Sequence, residues 1–415
     1  MIQFAVLGYG TVGSGVVEVF FRNRESLEKK AGVPLGLKYI LDVREFPDSP
    51  YKDLFVKDFD TILNDASVGV VAEVIGGVEP ALTFTKACLE RGKSVVTSNK
   101  ELVAQHGAEL LAIARANNVN YLFEASVGGG IPIIRPLHSC LAANRIEEVI
   151  GILNGTTNFI LTKMFREGMS FESALALAQR LGDAERDPAA DVEGHDACRK
   201  ICILASLAFG EHVYPHDVSA EGITKITSED VAYAASCGCV IKLIGAARRG
   251  EGGKRMTAYV APAFINRETQ LGTIDDVFNG ILVRGDATGD VVFYGKGAGK
   301  LPTASAVVSD MIACAKADGS SASMSWKPSQ GGNVAPQGDH VTAMYLRCRA
   351  FETNALEEAV KIFGKVKALS RPDKPTNEAA FITPALTERE IDDVCGKLAA
   401  AGVDILGKIR VLADQ

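Results

Sequence analysis

No apolar run in this sequence is long enough to cross a bilayer as a helix, which takes about 20 residues. The start also lacks the basic stretch and cleavage site of a secretory leader. Met1 runs straight into Ile2-Gln3-Phe4-Ala5-Val6-Leu7, a strand pattern. Both absences make the cytoplasm the expected location. Basic excess is missing too: the net charge is -7 and the pI about 5.6. A mildly acidic balance makes the chain a poor candidate for binding nucleic acid or an anionic membrane surface. No disulfide framework is visible. The nine cysteines are scattered and odd in number, and Cys237 and Cys239 form a C-x-C with no second pair at metal-ligand spacing. They read as reduced thiols. The single tryptophan, Trp326, is assigned no role.

What is present suits a large soluble protein. A length of 415 residues predicts two or three domains. Residues 1–140 alternate strand-like runs (2–7, 36–41, 68–75, 93–97, 119–124) with helical stretches (11–30, 80–91, 100–117). Such alternation predicts a parallel sheet covered on both faces. After Pro136 the character changes. Helices are expected over 156–182 and 195–210, and strands over 239–249, 255–263, 278–286 and 290–295, with Arg249-Gly250-Glu251-Gly252-Gly253 as a turn. Residues 302–316 return to helix. Residues 318–340, rich in Ser, Gly, Pro and Gln, read as a linker or poorly packed loop. The remainder runs strand (341–350), helix (354–364), strand (365–370), strand (378–383), helix (387–401), strand (403–412), the βαββαβ order of a ferredoxin-like module.

Gly8-Tyr9-Gly10-Thr11-Val12-Gly13 is a GxGxxG between the first strand and the first helix. The first glycine permits the tight turn, the second lets a pyrophosphate approach, and the third lets helix and strand pack. The helix start then offers free N–H groups to the anion. In that context the motif predicts dinucleotide binding in a Rossmann-like sheet. Asp42 would hold a ribose 2′-hydroxyl and favour NAD, whereas Arg44 would pair a 2′-phosphate and favour NADP. The sequence leaves both open.

Three segments could carry chemistry. Thr97-Ser98-Asn99-Lys100 follows a strand, at the end of the sheet where ligands bind, and a cation is electrostatically unwelcome at a helix start unless it has a purpose. Glu124-Ala125-Ser126-Val127-Gly128-Gly129-Gly130-Ile131-Pro132 exposes carbonyls beside one carboxylate, a set suited to a hard cation of low charge. A plain domain-crossing loop is the other reading. The most polar segment, Gly182 to Lys200, has five acidic residues before Gly194. Asp196 and Lys200 then share a helix face. Its carboxylates could grip an ammonium group and a buried lysine could move a proton. An acidic helix start with an ordinary ion pair is the alternative. His195 has no convincing partner.

Taken in order, the motifs resemble the homoserine dehydrogenase family. They are Gly8 to Gly13, Thr97-x-Asn99-Lys100, Glu124-x-x-Val127-x-Gly129-x-Ile131-Pro132, Leu153-Asn154-Gly155-Thr156-Thr157-Asn158, Gly182-x-Ala184-Glu185-x-Asp187-Pro188 through Asp191, Asp196 and Lys200, and Tyr294-Gly295-x-Gly297-Ala298-Gly299. The resemblance spans residues 1 to about 316. It implies reversible NAD(P)-dependent oxidation of L-homoserine to L-aspartate 4-semialdehyde, in threonine, methionine and isoleucine biosynthesis.

The resemblance also implies roles. Lys200 would transfer the proton, with Lys100 sharing that role and touching the nicotinamide. Glu185, Asp196 and Asp191 would bind substrate. Gly8, Gly10, Thr11, Val12, Gly13, Arg44, Gly182 and Gly299 would hold the cofactor. Glu124 and the carbonyls of Val127, Gly129 and Ile131 would hold a monovalent cation, expected to be sodium. The implied architecture is an NAD(P)-binding Rossmann domain (1–135 with 300–317), a substrate-binding and dimerisation domain (136–299), the linker (318–340) and an ACT-like module (341–415). A homodimer or homotetramer is expected. Two departures stand out: Asp183 occupies a usually aromatic position, and Ala350-Phe351-Glu352-Thr353-Asn354-Ala355 lacks the Asp-x-Pro-Gly turn common in ACT domains. An amino-acid effector and a purely structural module both stay open. A nucleotide-sensing protein without turnover is the competing class.

Overall fold

The computed structural model describes residues 1–250, 252, 255–321 and 324–412. Strands β1 (Ile2–Leu7), β2 (Leu35–Leu41), β3 (Phe55–Val56), β4 (Val68–Glu73), β5 (Ser94–Thr97) and β6 (Tyr121–Leu122) form a wholly parallel sheet in the order β3-β2-β1-β4-β5-β6. Their apolar runs are buried on both sides, as parallel strands under helices must be. The covering helices are α1 (Thr11–Ala31), α2 (Phe59–Leu63), α3 (Ala81–Glu90) and α4 (Lys100–Ala116).

The second layer system is a mixed sheet. It contains β7 (Ile146–Ile152), β8 (Ser219–Ala220), β9 (Cys239–Arg248), β10 (Thr257–Asn266), β11 (Phe278–Gly285) and β12 (Gly289–Lys296). Helices α5 (Gly155–Glu167), α6 (Phe171–Leu181), α7 (Ala189–Val192), α8 (His195–Phe209) and α9 (Ser228–Ser236) accompany it. The expected helix over 156–182 is two helices. Gly168 stops the first at φ +65°, and the Ser170 hydroxyl accepts from Ser173 N–H to cap the second. Strand β7 and helix α9 were not anticipated. Residues Glu251 and Gly253 of the expected turn lie outside the described residues.

Helix α10 (Lys300–Lys316) returns to the first sheet and lies on α1. A Cβ on Gly15 would sit 2.8 Å from the Lys300 carbonyl, so the two helices meet where the side chain is absent.

The C-terminal segment has the expected βαββαβ order, with one extra two-residue strand. It runs β13 (Val341–Ala350), α11 (Ala355–Phe363), β14 (Lys367–Leu369), β15 (Glu378–Ile382), β16 (Leu386–Thr387), α12 (Glu388–Ala400) and β17 (Val403–Leu412). Its sheet is not separate. Strand β17 lies parallel to β10, with Ala263 opposite Arg410, so one sheet runs β12-β11-β7-β9-β10-β17-β13-β15-β14.

The reading of 318–340 as a loose linker needs correcting. Met324, Trp326 and Val334 are buried. Trp326 donates its indole N–H to His212 Nδ1 (2.9 Å), and His212 Nε2 lies 3.0 Å from the Ala104 carbonyl. Backbone bonds from His212 N–H to Lys327 O and from Ala335 N–H to Met256 O pin the segment along its length. Composition marked it as irregular; three apolar anchors decided that it packs. All nine cysteines are free thiols.

Candidate active site

The glycine-rich turn has the geometry a pyrophosphate needs. Gly8 lies at φ +97°, and a Cβ there would sit 3.0 Å from Val74 O. A Cβ on Gly13 would fall 1.9 Å from Gly8 O, so only glycine lets α1 start this close to β1. At Gly10 nothing lies within 4 Å of the added carbon. No side chain caps α1, which leaves its first N–H groups for an anion. The residues present therefore fit a dinucleotide.

At the end of β2, Asp42 is buried and fully engaged. Its carboxylate accepts from Tyr9 N–H (2.7 Å), Arg44 N–H (2.9 Å) and the Arg44 guanidinium (2.9 and 3.0 Å). The guanidinium holds the Asp42 carboxyl well below the usual carboxylate range. Arg44 and Asp42 thus form one ion-paired unit just beyond the end of β2.

The loop bearing Lys100 is anchored by a residue the sequence reading missed. Glu73, buried at the end of β4, accepts from Ile75 N–H (2.8 Å) and the Thr97 hydroxyl (2.7 Å). The Thr97 hydroxyl accepts in turn from Asn99 N–H, and Asn99 caps α4 through Leu102 N–H while donating to Gly77 O. Burial raises the Glu73 pKa. Only a charged residue ending an apolar strand hinted at it.

From α4, Lys100 reaches α8. Its Nζ lies 2.6 Å from Asp196 Oδ1, an ion pair rather than a directed hydrogen bond. Lys200 Nζ lies 2.8 Å from Asp196 Oδ2 and donates to Leu153 O at 2.7 Å. Asn154, which caps α5 through Thr157 N–H, donates to both Asp191 Oδ1 (2.7 Å) and Asp196 Oδ2 (2.9 Å). Asp196 and Lys200 are buried, while Lys100 is 40% exposed and so opens the cluster to solvent. Burial lowers the Lys200 pKa, Asp196 opposes that, and Lys100 adds to it. Burial would raise the Asp196 carboxyl, but the two ammonium groups outweigh it and hold it low. Asp191 is raised, by burial first and then by its neighbour Asp196. The arrangement can bind an ammonium and move a proton.

Two family models of homoserine dehydrogenase match: its NAD binding domain over residues 8–124 and its catalytic model over 132–312. A homoserine dehydrogenase from Synechocystis is 44% identical over 316 residues, 75% of this chain and 72% of that one. This chain belongs to the homoserine dehydrogenase family. The solved homoserine dehydrogenase from Thiobacillus denitrificans superposes with a TM-score of 0.90 at 35% identity, covering 99% of this chain and 98% of that one. A hyperthermophilic archaeal homoserine dehydrogenase mutant, solved with NADPH, gives 0.64 at 27% identity over 75% and 97%.

Against the family motif, the structure gathers Lys100, Asp191, Asp196 and Lys200 but leaves Glu185 apart. Glu185 is exposed and its side chain makes no hydrogen bond among the described residues. Its segment is tethered nearby, since the Thr156 hydroxyl donates to Asp183 O (2.7 Å). Gly182 ends α6 on the surface at φ +83°, and Gly299 precedes α10 at φ +121°.

In the loop expected to hold a cation, both Glu124 carboxylate oxygens are occupied. They accept from Ile133, Ile134 and Arg135 N–H at 2.6 to 2.9 Å. That leaves the carbonyls of Val127, Gly129 and Ile131, which accept no hydrogen bond among the described residues. Among those residues no group of three His, Cys, Asp or Glu side chains is set for a metal ion.

Proposed function

We propose that this chain interconverts L-homoserine and L-aspartate 4-semialdehyde with NAD(P), a step in threonine, methionine and isoleucine biosynthesis. The observation that carries the reading is the Lys100–Asp196–Lys200 cluster, set beyond the carboxyl end of β5, at the same edge of the parallel sheet as the nucleotide turn that follows β1. Bound NAD(P)+ supplies the acceptor for the hydride leaving C4 of homoserine. Neutral Lys200 accepts the hydroxyl proton. Leu153 O and Asp196 Oδ2 take two of its directions and so aim the remaining one. Lys100 shares the proton or neutralises Asp196 at the mouth of the cluster. Asp191, Asp196 and Glu185 supply carboxylates for the substrate ammonium, Glu185 on the strength of the family motif alone.

Gly8, Gly10, Thr11, Val12 and Gly13 receive the pyrophosphate, with Lys100, Gly182 and Gly299 at the nicotinamide end. The Asp42–Arg44 unit accepts either nucleotide: Arg44 pairs a 2′-phosphate, and Asp42 takes a ribose hydroxyl when Arg44 turns out. A monovalent cation such as sodium is assigned to the Val127, Gly129 and Ile131 carbonyls, shaping that loop without touching substrate. Pairing of two subunits through the mixed sheet, and a cytoplasmic site of action, complete the reading. Among the described residues no helix is long and apolar enough to cross a membrane.

Initial rates with homoserine and either NAD+ or NADP+, each with and without threonine, test it. Homoserine-dependent formation of reduced nucleotide is expected, and a threonine effect would make the C-terminal module an effector site. Tight NAD(P) binding without turnover of homoserine would instead favour a nucleotide sensor.

A further inference from the structure

One buried side chain of the C-terminal module holds the loop that packs against the start of α8. Arg410, on β17, is 3% exposed and holds two carboxylates. Its Nε and Nη2 donate to Glu388, both at 2.8 Å. Its Nη1 and Nη2 donate to Glu221, both at 3.0 Å. Glu388 opens α12 in the same module, whereas Glu221 follows β8 in the catalytic part. Paired planar donors of this kind fix direction as well as distance.

Glu221 sits in a loop pressed on the turn that launches α8. Its N–H donates to Val260 O, and Ile223 N–H donates to Val192 O, both at 2.8 Å. A Cβ on Gly222 would fall 2.1 Å from Val192 O, and one on Gly194 would sit 3.3 Å from Glu221 O. The Thr224 hydroxyl reaches Glu193 at 3.3 Å. The clamped residues, 192–194, lie between Asp191 and Asp196, and Gly194 is the N-cap of α8. At Gly222 there is no space even for a methyl group between the Glu221 loop and the 192–194 turn.

We propose that Arg410 is a positioning residue for the active site: through Glu221 it fixes the 192–194 turn and so the placement of the substrate-binding carboxylates Asp191 and Asp196. The C-terminal module is then part of the catalytic architecture, whatever it does as a regulator. This rests on the assignment of that cluster to homoserine. Substrate affinity, not nucleotide affinity, is the property at stake, since the glycine-rich turn lies on the other sheet.

The test uses the full chain with Glu221→Ala and Glu221→Gln. The Glu221 side chain is 48% exposed and its loss leaves Arg410 paired with Glu388, so folding is retained. The expected result is a KM for homoserine raised about 10-fold in Glu221→Ala and less in Glu221→Gln. The kcat should stay within about 2-fold and the nucleotide KM should not change. Arg410→Lys should resemble Glu221→Gln. Arg389→Ala, which breaks the exposed pair between Arg389 of the module and Asp339 of the 318–340 segment, should leave all constants as they are. A lowered Tm with an unchanged homoserine KM would overturn the inference and make the pair merely structural. Absence of homoserine turnover in the unaltered protein would instead remove the functional reading on which it rests.

Discussion

Replacing Lys200 by methionine is the perturbation that bears most directly on the chemistry. Methionine keeps the length and buried volume of the side chain but removes the amine. Two effects follow, and they can be separated. On stability, Leu153 O loses its donor, which costs about 1–3 kcal/mol. Asp196 is not orphaned, because Lys100 Nζ stays 2.6 Å from Oδ1 and Asn154 Nδ2 stays 2.9 Å from Oδ2. The full loss of a broken buried pair, about 3–5 kcal/mol, is therefore not expected. On rate, a positioned proton acceptor contributes about 10²–10⁴-fold, or about 3–5 kcal/mol of barrier. Homoserine oxidation should fall by roughly 10³-fold, while nucleotide binding, followed by quenching or calorimetry, should hold. The pH profile adds a second readout. The native Lys200 pKa is lowered by burial, so the neutral amine forms below the ordinary lysine range. The rate of homoserine oxidation should rise with pH through that lowered pKa, and the limb should vanish in the variant. Wild-type kcat with an unchanged pH profile would refute the assignment and leave Lys100 as the proton acceptor. A parallel Lys100→Met variant measures that directly.

Two further outcomes are expected. Arg44→Ala should shift preference from NADP+ toward NAD+ by roughly 10–100-fold, since it removes a charged donor and bares the Asp42 carboxylate to a 2′-phosphate; an unchanged ratio of kcat/KM for the two nucleotides would argue against the paired reading. Asp310, buried on α10 and accepting from Glu124 N–H, has its pKa pushed up to about 7 by burial, from 3.8. The folded state thus holds this proton more tightly than the unfolded chain. Its stabilisation is complete below about pH 4 and is lost as pH rises through 7, up to about 4 kcal/mol at 1.36 kcal/mol per unit. Asp310→Asn keeps the acceptor without the titration, so its stability relative to the native protein should rise between pH 5 and 8 in denaturant unfolding. Parallel pH dependences in the two proteins would count against it.

Much of the site was legible because it is local. The GxGxxG needs only a strand, a turn and a helix start, and Gly8 and Gly13 are demanded by contacts within a few residues or with the adjoining strand. The i, i+4 pair of Asp196 and Lys200 is a property of any helix at that place. The order of the C-terminal elements followed from hydrophobic period and turn residues. Glu73 escaped notice because Thr97 meets it only when β4 and β5 lie side by side. That Glu124 accepts the backbone N–H groups of residues 133–135 was not legible, because they arrive from a backbone reversal that composition does not reveal.

The sequence by itself determined the parallel nucleotide-binding sheet, the positions of the turn and of the charged helix start, and the family. Those follow from short-range spacing, in which each residue's neighbours along the chain set its geometry. Only the tertiary structure decided that Lys100 on one helix shares Asp196 with Lys200 on another, that Trp326 buries the apparent linker, and that β17 continues the catalytic sheet and carries Arg410 to Glu221. These contacts join residues 96 or more positions apart. No periodicity encodes such pairs, because they exist only once separate apolar faces have been buried against one another.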